Sequence, residues 1–130
     1  MGDVRLRATG PAAPATVWER YADTRLWPTW SPQVRRVEVG EGSPRLRPGL
    51  AGQVVGTLGV RVTFVVDEVD EGAMTWSWHV RVGPVRMALD HGVRAHDDGT
   101  LTVLRITAPT PVAAAYAPLA QIALQRLVRR

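Results

Sequence analysis

Two side chains three positions apart carry the chemistry this sequence can offer a bound ligand. His91 has an imidazole whose ordinary pKa near 6.5 suits proton exchange with a ligand at neutral pH, and Arg94 is a conditional partner for it. Trp76 and Trp78 are two apart, so in a strand they share a face and form a flat wall with N–H donors, suited to aromatic or polyoxygenated ligands. Other chemistries lack their residues. There is no G-x-S-x-G, no Gly-rich phosphate loop before a helix and no H-E-x-x-H, and zero Cys excludes disulfides, thiolate metal sites and a cysteine nucleophile. His79 and His91 fall on opposite strand faces and His96 lies in a polar run, so neither a metal site nor a cofactor is expected. The acidic cluster Asp67, Glu68, Asp70, Glu71 and the pair Asp97-Asp98 read as solvated loop ends.

Period-2 parity decides what these residues face. In 73–82, Met74, Trp76, Trp78, Val80 and Val82 share the apolar side; in 85–93, Val85, Met87, Leu89, His91 and Val93 do. Val60, Val62, Phe64 and Val66 continue that inner surface, as do Leu104 and Ile106, although Leu101 and Val103 on the other parity allow a bulge. Arg94 has outward parity and reaches the interior only if Gly92 marks a bulge. Two readings of His91 stand: a core imidazole with both nitrogens satisfied, or a neutral imidazole on a cavity wall that exchanges a proton with a ligand.

The elements that must hold these residues follow from punctuation and period. Val4, Leu6 and Ala8 alternate with polar residues up to Gly10-Pro11, a half-buried strand. Pro14 to Ala22 has Val17, Trp18 and Tyr21 at helical spacing; Asp23 can cap a second short helix carrying Leu26, which Pro28 and Pro32 end early. From Val34 to Thr107 about six antiparallel strands are separated by turn residues. Thr110 can cap a closing helix to Arg130 with Pro111 first, a kink at Pro118, and Val112, Tyr116, Leu119, Ala123 and Leu127 along one side. A curved sheet needs its inner face covered, and this helix is the long element left to cover it.

The 130 residues suit one domain, 1–130, of ordinary globular composition, at 45% hydrophobic and 22% charged. The net charge of +4 does not mark a nucleic-acid surface: all 16 basic residues are Arg, scattered among acids, in a sequence without Lys or Asn whose bias touches every residue class. The start has no apolar run of signal-peptide kind and no segment approaches a membrane span, so a cytoplasmic protein is expected.

Ala12-Ala13-Pro14-Ala15-Thr16-Val17-Trp18, then Asp23, then Trp27-Pro28-Thr29-Trp30-Ser31-Pro32, resembles the opening of the START-like SRPBCC (Bet v 1-like) superfamily, especially its polyketide cyclase/dehydrase branch. The element order, the Asp98-Gly99-Thr100 turn and the closing helix extend the resemblance over the whole chain. It implies an α+β helix-grip fold: a curved antiparallel sheet of about seven strands around a long C-terminal helix, two short helices after strand 1, and a hydrophobic cavity between sheet and helix. That superfamily shares no single catalytic motif, so the implied property is binding of a hydrophobic, ring-containing small molecule, with cyclase or dehydratase chemistry as one use. The expected wall is Trp30, Phe64, Trp76, Trp78, Met87, Leu89, Tyr116 and Leu119, with His91 and Arg94 as the catalytic pair; in the cyclase-type use His91 shuttles a proton while Arg94 or Trp78 steadies the developing enolate oxygen. A non-catalytic lipid carrier is the alternative, and a protein-interaction module, with the interior filled by Trp76, Trp78 and Met87, is the third. The expected state is a monomer or homodimer.

Overall fold

A computed structural model describes residues 2–130. β1 (Gly2–Gly10) is followed by α1 (Pro14–Ala22), a 3-10 turn (Thr24–Leu26), α2 (Trp27–Trp30), β2 (Val34–Val39), β3 (Ala51–Gly56), a second 3-10 turn (Thr57–Gly59), β4 (Arg61–Asp70), β5 (Thr75–Val82), β6 (Val85–His96), β7 (Gly99–Ala108) and α3 (Thr110–Leu127). The seven strands form one sheet in the order β1-β7-β6-β5-β4-β3-β2, every neighbouring pair antiparallel. This is the helix-grip architecture: a single sheet with α3 against its inner face and the two short helices beside it.

The expected alternation holds in β5, β6 and β7. Trp76 and Val80 are buried with Trp78 half-buried beside them; Leu89, His91 and Val93 are buried; Leu104 and Ile106 are buried opposite them. The β6–β7 register runs without a slip from Ala88↔Thr107 to His96↔Gly99, so neither strand bulges. Slips fall instead in β2, between Val34 and Arg36, and in β4, between Val66 and Glu68, where no glycine announces them. In β4 the extra residue lets Val66 and Val69 both face inward while Asp67, Glu68 and Asp70 stay in water.

Three helical expectations change in detail. Asp23 caps the 3-10 turn, accepting from the Arg25 N–H at 3.0 Å, and Pro28 sits in the first turn of a separate α2, where its missing N–H costs nothing. α3 begins at Thr110 without a side-chain cap, ends at Leu127, and continues through Pro118. The Ala114 carbonyl that loses its intrahelical partner to Pro118 belongs to an exposed residue and can bond to water. Finally, the buried stripe of α3 is Ala113, Ala120, Ala123, Leu124 and Leu127, with Val112 and Tyr116 at its margin, while Leu119 is 45% exposed. The stripe is rotated by roughly half the 100° step between neighbouring residues. α3 lies chiefly along β1, held by Gln121 Nε2–H donating to the Arg7 carbonyl at 2.9 Å, and this close approach favours alanines over Leu119 on the packed side.

Candidate functional site

The β1-side placement of α3 leaves the concave face over β3 to β6 beyond its reach; α1 packs on β6, and α2 fills part of the remaining gap with two tryptophans. Trp27 Nε1–H donates to the Tyr21 carbonyl at 2.9 Å and Trp30 Nε1–H to the Arg20 carbonyl at 3.0 Å, so the Trp-Pro-Thr-Trp segment is pinned against the end of α1. Trp27 meets Trp78 edge-on at 5.1 Å between centroids and lies 5.8 Å from Trp76 and 6.0 Å from Phe64. The result is one aromatic lattice joining α1, α2, β4, β5 and β6.

His91 sits at its centre. The ring stacks on Trp76, 4.4 Å between centroids with 8° between planes. Its Nε2 accepts from Trp78 Nε1–H at 3.0 Å, and its Nδ1 lies 3.0 Å from the Tyr21 hydroxyl. An indole only donates, so Nε2 must be the unprotonated nitrogen; in the neutral ring the proton is then on Nδ1, donated to the Tyr21 oxygen. Burial pushes the imidazole down to about 3, and the same burial pushes the Tyr21 phenol up. Both nitrogens are engaged and the ring stays neutral at physiological pH. This geometry realises the first of the two readings of His91, the satisfied core imidazole, although its edge also borders the cavity described next.

Between sheet and helix lies a cavity of about 320 Å³. Of the expected wall residues it is bordered by Trp30, Trp76, Trp78, Met87, Leu89 and Tyr116. The void has a cause in side-chain size: α3 contributes Ala120 and Ala123 beside Leu124, while the strands opposite contribute Val54, Val62 and Val80. The interior is therefore not filled by Trp76, Trp78 and Met87. The volume is at the low end of the roughly 300–1,000 Å³ of small-molecule sites, enough for a compact ring system.

Three expected site residues lie elsewhere. Phe64 is buried but packs behind the wall, 5.5 Å from Trp78, and does not border the cavity. Leu119 faces solvent for the reason given above. Arg94 is exposed on the outer face of the sheet, because the unbroken β6 register keeps its outward parity and the bulge that would have turned it inward does not form. It borders a depression of about 1010 Å³ there, whose walls mix Arg5, Arg7 and Arg94 with Glu68, Asp70 and Asp90. That hollow is the larger one, but it is open to water and charged in both signs, so the enclosed interior is the better place for an apolar ligand. Arg94 and His91 are thus on opposite sides of the sheet and do not form a pair.

Sequence reasoning also missed two participants. Tyr21 reads in the sequence only as one of the residues at helical spacing in Pro14 to Ala22, yet its hydroxyl engages His91 from 70 positions away, a pairing with no local signature. Gln33 follows the Trp-Pro-Thr-Trp-Ser-Pro stretch as an ordinary loop residue, and it borders the cavity beside Tyr116. Burial raises the Tyr116 phenol, opposed by a side-chain hydrogen bond from Gln33. Among the described residues no cluster of His, Asp or Glu could hold a metal ion, and no helix is long and apolar enough to cross a membrane.

The sequence matches the family model described as polyketide cyclase / dehydrase and lipid transport over residues 1–130. Among curated proteins, none matches. The fold is similar to that of XoxI from Bacillus cereus, with a TM-score of 0.82 at 12% identity, covering 98% of this chain and 94% of that one. It is similar to Ara h 8.0201, with a TM-score of 0.78 at 18% identity, covering 97% and 94%. The di-domain ARO/CYC BexL from the BE-7585A biosynthetic pathway gives a TM-score of 0.80 at 19% identity, covering 98% of this chain and 45% of BexL.

Proposed function

The chain belongs to the polyketide cyclase/dehydrase and lipid transport family, and from that premise we propose that it captures a compact, ring-containing hydrophobic molecule in the cavity between sheet and α3. The observation that carries this is the cavity itself, about 320 Å³, with an almost wholly apolar and aromatic wall. Burying a bicyclic or tricyclic body against such a wall supplies roughly 25 cal/mol per Å² of apolar surface removed from water.

Between capture and proton-transfer catalysis, the state of His91 favours capture. A general base works best with a pKa near the ambient pH and a free lone pair aimed at the substrate; burial holds His91 at about 3 and Trp78 occupies its lone pair. A cyclase-type role is a second reading, supported by family membership and the likeness to BexL. In it the wall contributes by folding a flexible substrate, and protons move through groups other than His91.

Native mass spectrometry of protein purified from its own host tests the capture reading. The expected result is one apolar molecule retained per chain and lost in Val80→Trp, where the larger side chain occupies the space. A wild-type protein that arrives empty and takes up no hydrophobic probe overturns it.

A further inference from the structure

The cavity opens at one edge of the sheet. Along β5, Trp76 is 3% exposed and Val82 is 41% exposed, so the wall runs from a closed end to an open mouth over about 20 Å. Two turns frame that mouth, the 3-10 turn Thr57–Gly59 between β3 and β4 and Gly83-Pro84 between β5 and β6. Both leave apolar side chains in water: Val60 is 50% exposed beside the first, Val82 flanks the second, and Leu58, at the tip of the first, is 98% exposed. Leu58 is also strained, at φ 61° and ψ 19°, in the left-handed region that favours glycine. A glycine there would avoid both the strain and the exposed hydrocarbon. Nothing inside the folded chain offsets either cost, because a side chain so exposed makes almost no packing contact.

The charge at this edge has one sign. Segments 54–66 and 80–89, which build the two turns and the strands leading into them, hold Arg61, Arg81 and Arg86 and no acid, and α3 holds no acid either. Arg81 and Arg86 stand directly opposite each other across β5 and β6, a placement that is unfavourable in an isolated sheet. Among the described residues neither of them forms an ion pair, nor does Arg35 in the β2 slip. The nearest carboxylates are all engaged. Glu38 accepts from Arg36 and Arg61, both at 2.8 Å, Asp3 accepts from Arg105 at 3.1 Å, and Asp67 lies 3.0 Å from His79 Nδ1. At the opposite edge Glu41, Asp70, Glu71, Asp97 and Asp98 occupy or flank the turns. Arginines that look scattered along the sequence are therefore sorted by the fold, with the unpaired ones at the mouth beside the exposed apolar tips.

We propose that this edge is a docking surface for an anionic lipid bilayer. Leu58, Val60 and Val82 enter the boundary between headgroups and acyl chains, while Arg35, Arg81 and Arg86 meet lipid phosphates and carboxylates. An acidic protein would complement the arginines equally well, but a projecting leucine on a narrow turn favours a medium that it can penetrate. The proposal goes beyond the capture reading and stands on this surface alone. In the docked pose the mouth of the cavity faces the headgroup layer.

Co-sedimentation with vesicles of phosphatidylcholine alone, or with about one-third phosphatidylserine, tests this at low ionic strength. The wild type is expected to partition onto the anionic vesicles about a hundredfold more strongly. Arg81→Gln combined with Arg86→Gln should lower that partitioning about 30-fold, and Leu58→Ser about tenfold. Arg129→Gln combined with Arg130→Gln removes the same charge at the opposite end of α3 and should leave it nearly unchanged. In Leu58→Trp, added emission should be quenched by acyl-brominated lipid. The wild-type comparison needs no variant to fold, and unfolding midpoints check the others. Equal partitioning onto both vesicle types, no partitioning, or equal weakening by the two arginine pairs overturns the proposal. Anionic-vesicle binding that survives Leu58→Ser at full strength also overturns it and points to an acidic macromolecule instead.

Discussion

The two ends of the sheet–helix space are built on opposite rules. At the closed end His91, Tyr21, Trp76, Trp78 and Trp27 interlock, and every polar atom there except Trp76 Nε1 has a partner. At the mouth Val60 and Val82 stand about half in water, and Leu58 is 98% exposed at φ 61°, a left-handed turn position that a branched side chain rarely takes. Packing and hydrogen bonding define the closed end; little but backbone pairing defines the mouth. The difference teaches that the stability of this molecule and its access route are separable, since they draw on different residues.

The largest expected effect follows from the closed end. His91→Ala deletes a stacked ring and leaves Trp78 Nε1–H and the Tyr21 hydroxyl without their partner, so it should cost on the order of 3–5 kcal/mol in urea-induced unfolding. Val82→Ala at the mouth should cost well under about 1 kcal/mol in the same experiment. Comparable losses at the two sites would dissolve the distinction.

The asymmetry also explains what the sequence made legible. Period-2 alternation in Thr75–Val82 and Val85–His96 carries the inner face because one side of the sheet is buried throughout, and burial is what writes that pattern. The closing helix was legible as an element, but its rotation was not: alanines read as weak hydrophobes, and only the close approach to β1 places Ala120 and Ala123 inside and Leu119 outside. The β4 slip at Asp67 was hidden because no glycine or proline marks it. Among site residues, His91 and the two β5 tryptophans were legible from parity, whereas Arg94 hung on a bulge that does not form, since Gly92 pairs with Val103 in the regular register. Tyr21 and Gln33 were beyond reach because their roles exist only across the fold.

A second, smaller effect sharpens the closed end further. With its folded pKa lowered to about 3 by burial, His91 stays unprotonated in the native state while the unfolded chain takes up a proton below about pH 6.5. The unfolded state then binds more protons, so stability must fall as pH falls, by up to about 1.4 kcal/mol per pH unit. Comparison with a variant that lacks the imidazole isolates this contribution from those of His79 and His96, and the window from pH 6.5 to 5 lies above the range in which Asp23 and Glu38, both held low by arginine hydrogen bonds, take up protons. Denaturant midpoints across that window should decline in the wild type and decline measurably less in His91→Gln, which keeps a donor and an acceptor but does not titrate. Parallel declines would mean that the native imidazole is protonated and that the Trp78 hydrogen bond does not hold its lone pair.

The smallest expected effect tests the boundary of the site from outside. Leu119 and Arg94 were both expected at the ligand, and both lie in water, one on the solvent side of α3 and the other on the outer face of the sheet. A surface substitution away from caps, ion pairs and strained backbone typically changes stability by no more than about 0.5 kcal/mol. Leu119→Gln and Arg94→Gln should therefore leave the unfolding midpoint and the affinity for a bicyclic probe nearly unchanged, with affinities compared at fixed salt. The informative case is Arg94→Gln. Were it to weaken binding severalfold with stability intact, the ligand would have to contact the charged hollow on the outer face, because no path through the intact β6–β7 register brings that guanidinium to the interior.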